Sequence, residues 1–456
     1  MSKIEYTKVK KPTSDCTLRP VMLNDETMRQ RYEKVIRKMK DNALDALVIY
    51  ADLEHGSNFE YLTGFIPRFE EAILVVHSDG RNYMLMGNEN LNKVASARLN
   101  AEAIHVPHFS LPNQPMETNK SFSELLQDAD INGKHIGVVG WKMFTSKIED
   151  NNQLYDIPSY ILDVIKTLSK DIVNACNLFI GENGVRTVNN VNEIEHYEFG
   201  ASLASDAMLD ALDSIELGIE ETTLGSKLNC LGQKNSVVTI ASSGKRFVKA
   251  NIYPTDNKVK LNDPISLTVG YKGGLSSRSG IAVHNSSELN ENIKDYLDVV
   301  VKPYFNAYVE WMENIHVGMT GGELYDLVEK VLPKEKYGWS LCPGHLTADE
   351  EWMSSPIYAN SEEILNSGML LQIDIIPSIN GYPGTSSESS VVLCDKYLRD
   401  KIKEEAPLLF ERMTKRRQYI QTELGININE DLMPLCSSVA YLRPFLLNKE
   451  FAMTKR

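Results

Sequence analysis

The sequence predicts an α/β amino-terminal half followed by an α+β half that closes in a helical extension. Three features point there. Short apolar runs alternate with amphipathic helical stretches up to about residue 180, apolar strands then group beside long helices, and residues 396–423 form a charged helical stretch. At 456 residues, with 42% hydrophobic and 24% charged side chains, the chain is too long for one core and ordinary in composition.

In chain order, residues 26–41 place Met28, Tyr32, Val35, Ile36 and Met39 at helical spacing among lysines and arginines. Asp45–Tyr50 reads as a short buried strand. Ala72–Val76 and Tyr83–Met86 flank Ser78-Asp79-Gly80, a turn signal, and read as a hairpin. Ile136–Gly140 is a further strand. In the second half, residues 192–216 predict a helix capped by Asn192, with Glu193 and Glu195 at its positive end and Gly218 stopping it. Strands follow at Val237–Ile240, Pro264–Val269 and Met369–Ile375, with a long helix near 290–313. Pro434–Leu447 is an apolar tail punctuated by proline.

The formal charge of −14, with no concentrated basic block, argues against nucleic acid and anionic membrane as partners, since both need clustered Lys and Arg. No apolar run follows the basic opening residues, and no stretch approaches the ~20 apolar residues of a membrane span. The six cysteines are scattered without C-x-x-C pairs, which predicts free thiols and a cytoplasmic location. Phosphate-loop, H-E-x-x-H, G-x-G-x-x-G and G-x-S-x-G signatures are absent. His105-Val106-Pro107-His108 has metal-like spacing, but the proline prevents a helical pair and leaves a surface loop.

Several segments fall in a recognisable order. Arg186–Ile194 enters the first long helix of the second half, and Gly218-Ile219-Glu220-Glu221-Thr222-Thr223 follows it. Next come Asn262–Gly270, Pro343-Gly344-His345, Gly368–Asp374 and Gly381–Leu393. Upstream stands Asn58-Phe59-Glu60-Tyr61-Leu62-Thr63-Gly64-Phe65. These motifs resemble the creatinase/prolidase/aminopeptidase P superfamily over roughly residues 25–395. The resemblance implies a creatinase-type amino-terminal α/β domain over 1–180, a pita-bread domain over 181–395, and a carboxy-terminal helical extension over 396–456. It also implies a homodimer.

Family members with metal hold two divalent ions with two Asp, one His and two Glu. Carried onto this chain, the first Asp position falls on Thr268 and the second on Arg278, or on Ser277 if the hairpin aligns one residue differently. The His is His345, the first Glu becomes Asp374, and the last is Glu388. The proton-handling histidine of creatinase, which works without metal, falls on Asn251. Arginine cannot coordinate a cation. The expected arrangement therefore places Arg278 in the former metal position, paired with Glu388 or Asp374. His345, Asp374 and Glu388 are the expected catalytic residues, and Asn251, Thr268, Arg278 and Arg68 the substrate contacts. Arg68 enters because this region of one creatinase-like subunit approaches its partner's pocket. No cofactor is expected beyond at most one divalent ion on His345, Asp374 and Glu388. Asp349-Glu350-Glu351 beside Trp352 reads as a solvated turn whose acidic groups could meet a cationic substrate.

The function implied is hydrolysis of a C–N bond in a small polar molecule or short peptide without a binuclear centre. The alternatives are a catalytically inactive pseudopeptidase that binds a small molecule or partner, and a single-metal Xaa-Pro-type peptidase.

Overall fold

The computed structural model describes residues 3–245 and 252–456. The chain divides into two compact units, one made of Leu23–Thr187 and the other of Met1–Met22 with Val188–Arg456.

Leu23–Thr187 is built on a six-stranded sheet. Its order is Glu102–His105, Asn82–Met86, Ala72–His77, Ala46–Ala51, His135–Val139 and Asp171–Asn174. The three strands from Asn82–Met86 to Ala46–Ala51 pair antiparallel and the outer pairings are parallel. Ala46–Ala51 and Ala72–His77 are buried at every position, so they read as continuous apolar runs rather than alternating ones. Val48, Val75 and Val138 pack with Ile161 and Ile165 of the helix Ser159–Leu168 in one core. The helix Asp25–Asp41 starts where Asn24 accepts the amide of Thr27.

The other unit holds a seven-stranded sheet in which every pairing is antiparallel. Its path runs His345–Leu346, Leu370–Ile373, Ser386–Leu393, Gly274–Ile281, Pro264–Tyr271 and Ile240–Ser243, and Leu432–Pro434 pairs beside Ser386–Leu393. Along Pro264–Tyr271 the side chains alternate. Ile265, Leu267 and Val269 pack against Phe199, Leu203, Met208 and Leu212 of the helix Val191–Ser214, which leaves Ser266 and Thr268 for the opposite face. The turn joining Pro264–Tyr271 to Gly274–Ile281 lies against that helix. Gly273 has φ +100°, and a Cβ there would collide with the carbonyl of Tyr197. A Cβ at Gly200 would collide with the carbonyl of Lys272.

Several elements differ from the sequence expectation. The long helix is capped by Asn190 in a reciprocal box with Glu193, not by Asn192, and it ends at Ser214 ahead of Gly218. Pairing begins at Ile240 rather than Val237, because Ile240 is the first residue set opposite Thr268. The segment near 290–313 is a π-helical turn Leu297–Val301 running into the α-helix Lys302–Asn314. Residues 396–423 form two helices, Lys396–Glu405 and Pro407–Thr422, broken where Pro407 cannot donate an amide. Ile4–Lys8 pairs antiparallel with Phe451–Lys455. The opening residues therefore belong with the carboxy-terminal ones rather than with the amino-terminal α/β unit. Among the described residues no helix is long and apolar enough to cross a membrane.

Candidate active site

Strand register builds the site. Thr268 stands directly across from Ser277, and Ser277 across from Glu388. One step along, Ser266 stands across from Ser279 and Ser279 from Ser386. Directly opposed residues share a face, so two rows of side chains cross three strands on the face away from the helix Val191–Ser214. The Thr268 and Ser277 hydroxyls are 3.0 Å apart, and those of Ser279 and Ser386 3.1 Å apart. A cavity of about 300 Å³ opens on these rows, lined by Ser266, Thr268, Ser277, Ser279, Ser386 and Glu388 among others.

Asp374 directly follows the strand Leu370–Ile373, whose pairing of Ile373 with Ser389 carries the next residue toward Glu388. His345 sits on the two-residue edge strand opposite Gln372. Gly344 before it has φ +136°, and a Cβ there would meet the Gln372 carbonyl at 3.0 Å, so the close approach requires glycine. His345, Asp374 and Glu388 are 0%, 5% and 8% exposed. One potential ligand atom from each lies within 4.8 Å of the others.

The imidazole is held from three sides. Nδ1 lies 3.1 Å from the Leu346 carbonyl and, as the donor, fixes the tautomer that leaves a lone pair on Nε2. The Trp352 ring stacks on it at 4.1 Å between centroids. Glu351 Oε1 comes within 3.0 Å of Nε2, and Glu388 Oε1 within 4.0 Å. The Glu351 approach is an ion pair when the ring is protonated, and Nε2 otherwise has no hydrogen-bond partner among the described residues. Asp374 Oδ1 is likewise buried without one.

Burial and crowded negative charge set the electrostatics. Glu388 is pushed well above the carboxylate range by burial and then by Asp374 and Glu351, against the weaker pull of Gln372 and Arg278. Burial lifts Asp374 to about 6, with His345 opposing and Glu351 adding. For His345 burial alone would lower the pKa, but the neighbouring Glu351 and Asp374 outweigh it and the net shift is upward. Such a pocket favours a cation.

Arg278 is placed otherwise than expected. It stands opposite Leu267 and Ser387, on the other face of the sheet from Thr268 and Glu388. Its guanidinium donates to the carbonyls of Tyr441, Ser277, Glu388 and Ser438 and to the Ser389 hydroxyl, and to neither carboxylate. The two-residue period of a strand sends neighbours to opposite faces, so Ser277, not Arg278, stands beside the site. Arg68 lies in the Leu23–Thr187 unit with its guanidinium over the Phe69 ring. Asn251 lies outside the described residues.

Comparison with known proteins identifies the family of both halves of the chain. The model described as Creatinase/Prolidase N-terminal domain matches residues 31–149, and that of Metallopeptidase family M24 matches residues 195–398. The chain belongs to the creatinase/prolidase/aminopeptidase P superfamily. Within this superfamily it is similar to the Xaa-Pro dipeptidase of Pyrococcus furiosus, 22% identical over 395 residues that span 84% of this chain and 100% of that protein. The Xaa-Pro dipeptidase of Pyrococcus horikoshii is 22% identical over 78% of this chain and 93% of that protein. Among solved structures, the prolidase from Thermococcus sibiricus superposes with a TM-score of 0.63 at 16% identity, covering 82% of this chain and 96% of that one. The prolidase from Pyrococcus horikoshii gives 0.61 at 17%, covering 80% and 95%. The second half is thus a domain of a hydrolase family in its creatinase-like, pita-bread form.

The sequence reads Glu351 and Trp352 as a solvated turn with acidic groups open to a cationic substrate, whereas the structure sets both against His345. The usable signal was the tight spacing of His345 to an acidic turn, which the strand bridge Leu346–Ser354 folds back over the imidazole.

Proposed function

We propose that the chain is a hydrolase of the prolidase and aminopeptidase P type. It cleaves a C–N bond of a short peptide or small polar molecule, and its centre takes one divalent ion rather than two. The observation that carries this is the pair of buried, unpartnered ligand atoms, His345 Nε2 and Asp374 Oδ1, converging with Glu388. These groups fit an ion, since imidazole and carboxylates suit a divalent transition metal. The second place does not fit, because Thr268 and Ser277 offer neutral hydroxyls bonded to each other.

Bound there, a divalent ion supplies Lewis-acid polarisation of a carbonyl and a more acidic water. The protein's own part is positioning and proton handling. The Leu346 carbonyl fixes the ring tautomer of His345. Without the ion Asp374 holds its proton up to about pH 6, and ligation displaces that proton. The serine and threonine rows offer donors and acceptors to the polar atoms of a substrate in the cavity. Location in the cytoplasm and assembly as a homodimer belong to the same proposal, the latter tested by light scattering.

A second reading, a pseudopeptidase that binds without turnover, draws support from Trp352 stacked over His345. One experiment separates the readings. The protein is treated with chelator, reloaded with Mn²⁺ or Co²⁺, and assayed on Xaa-Pro dipeptides with its metal content measured. Turnover restored at one ion per chain supports the proposal. Two ions per chain, or chelator-insensitive turnover, rejects the single-ion centre, and ion uptake without turnover on any substrate favours the binding protein.

A further inference from the structure

We infer that Asp349 is a positioning residue. It anchors the turn that follows His345 to the helix Val191–Ser214 and to a hairpin tip, and so holds the His345 imidazole in place for the ion. The inference rests on the single-ion reading above and adds to it a residue outside the candidate ligand set.

His345 needs support from outside its own strand. That strand lies at the edge of the sheet and is two residues long, with His345 and Leu346 set against Gln372 and Leu371. The few hydrogen bonds of so short an edge do not by themselves offset the ordering of its backbone. The following turn supplies the rest. Leu346 donates its amide to the Ser354 carbonyl, and Met353 donates to the Leu346 carbonyl, which also accepts from His345 Nδ1. Ala348 donates to the carbonyl of Glu350, and the Thr347 hydroxyl donates to the same oxygen. Trp352, carried on this turn, stacks on the imidazole at 4.1 Å. Histidine and turn are one mechanical piece, so whatever fixes the turn fixes the ring.

Asp349 does the fixing. It belongs to an acidic run, yet its side chain is only 4% exposed. Oδ2 accepts from the Tyr197 hydroxyl at 3.1 Å, and Oδ1 lies 3.7 Å from Nζ of Lys272. Beside it, the Ala348 carbonyl accepts the Gly273 amide at 2.6 Å. A buried carboxylate is costly unless its partners are in place. Here they are rigid: Tyr197 is buried on the long helix, and Lys272 and Gly273 form the hairpin tip that lies against that helix. The same tip joins the strands that carry Thr268 and Ser277. Through Asp349 the imidazole is therefore referenced to the frame that positions the rest of the centre.

The test reads the ring and the ion separately. NMR of the ion-free full chain with labelled histidine follows the ring, His345 being assigned among the nine histidines by its loss in His345→Gln. Calorimetric titration of the chelator-treated full chain with Co²⁺ follows the ion. Stacking on Trp352 displaces the His345 Hε1 resonance from that of a free imidazole. Asp349→Ala should return it toward the free position and weaken Co²⁺ binding by roughly 10-fold, the lower end of what an outer-sphere partner contributes. Asp349→Asn, which can still accept from Tyr197, should fall between Asp349→Ala and wild type in both readouts. Melting of the ion-free variants shows which are folded, and Tyr197→Phe, with the same shifts expected, serves if Asp349→Ala is not. Resonance and affinity both at wild-type values would overturn the role of Asp349. So would a moved resonance with unchanged affinity, because the ring would then meet the ion without its anchor. A moved resonance with no uptake of Co²⁺ by wild type would overturn the single-ion reading and leave the anchor standing.

Discussion

The Thr268 and Ser277 hydroxyls are hydrogen-bonded to each other at 3.0 Å across two antiparallel strands, and Ser277 stands directly opposite Glu388. On the proposed single-ion reading, two neutral hydroxyls here leave a second cation without carboxylate ligands, so this one pair decides how many cations the centre can hold. The double variant Thr268→Asp with Ser277→Asp should raise the stoichiometry from one Mn²⁺ to two, measured by elemental analysis after reloading. A stoichiometry that stays at one would show that the facing positions had been wrongly assigned.

Arg278 clamps the same strands from behind. Its guanidinium serves four backbone carbonyls and one hydroxyl in a fully buried position. Arg278→Leu leaves those acceptors unsatisfied and should cost about 3–5 kcal/mol in denaturant unfolding, the range for breaking a buried charged network. A loss below about 1 kcal/mol, the value of a single net hydrogen bond, would mean that water or another donor replaces it.

The ion-free centre should be sensitive to pH in a defined direction. Asp374 is raised from 3.8 to about 6, so between those values the folded state holds a proton the unfolded chain has released. Its contribution to stability is present below pH 3.8 and is lost as pH rises through 6. Glu388, raised further, extends the same trend upward, and His345, also raised, loses its contribution as pH rises through its folded value. Ion-free wild type compared with Asp374→Asn should therefore lose relative melting temperature from pH 4 to pH 7. Saturating divalent ion should abolish the difference in slope, since ligation displaces the protons.

Close backbone contact between the helix Val191–Ser214 and the Lys272-Gly273 turn should make both glycines intolerant. Gly200→Ala and Gly273→Ala each drive a methyl into a carbonyl oxygen. Each should destabilise by about 1–3 kcal/mol, seen as a lowered melting temperature. Because that turn sets the register of Thr268 against Ser277, ion affinity should fall as well. A variant with reduced stability and unchanged affinity would uncouple the turn from the site.

The fold was legible because its landmarks are local: Pro343-Gly344-His345, the strand that delivers Asp374, and the serine-rich strand around Glu388 each announce themselves within a few residues. What escaped reading depends on distant partners. Val237 and Val238 look like strand residues, but the ladder with the neighbouring strand is in register only from Ile240, opposite Thr268. The choice between Ser277 and Arg278 turned on one step of register, which the length of a glycine turn fixes and apolar pattern does not. Glu351 sits in an acidic run that composition assigns to solvent. Its burial follows from a turn folding back on the preceding histidine, and neighbouring residue types carry no trace of that.

The pairing of Ile4–Lys8 with Phe451–Lys455 has a consequence for the order of events during synthesis. The segment Leu23–Thr187 lies between the first strand and the rest of its unit, and it can complete its own core while the ribosome is still translating. The first strand emerges before it yet waits for a mate made only near the carboxy-terminal end. Throughout elongation that early ribbon is an unsatisfied edge, open to chaperones or to a neighbouring nascent chain.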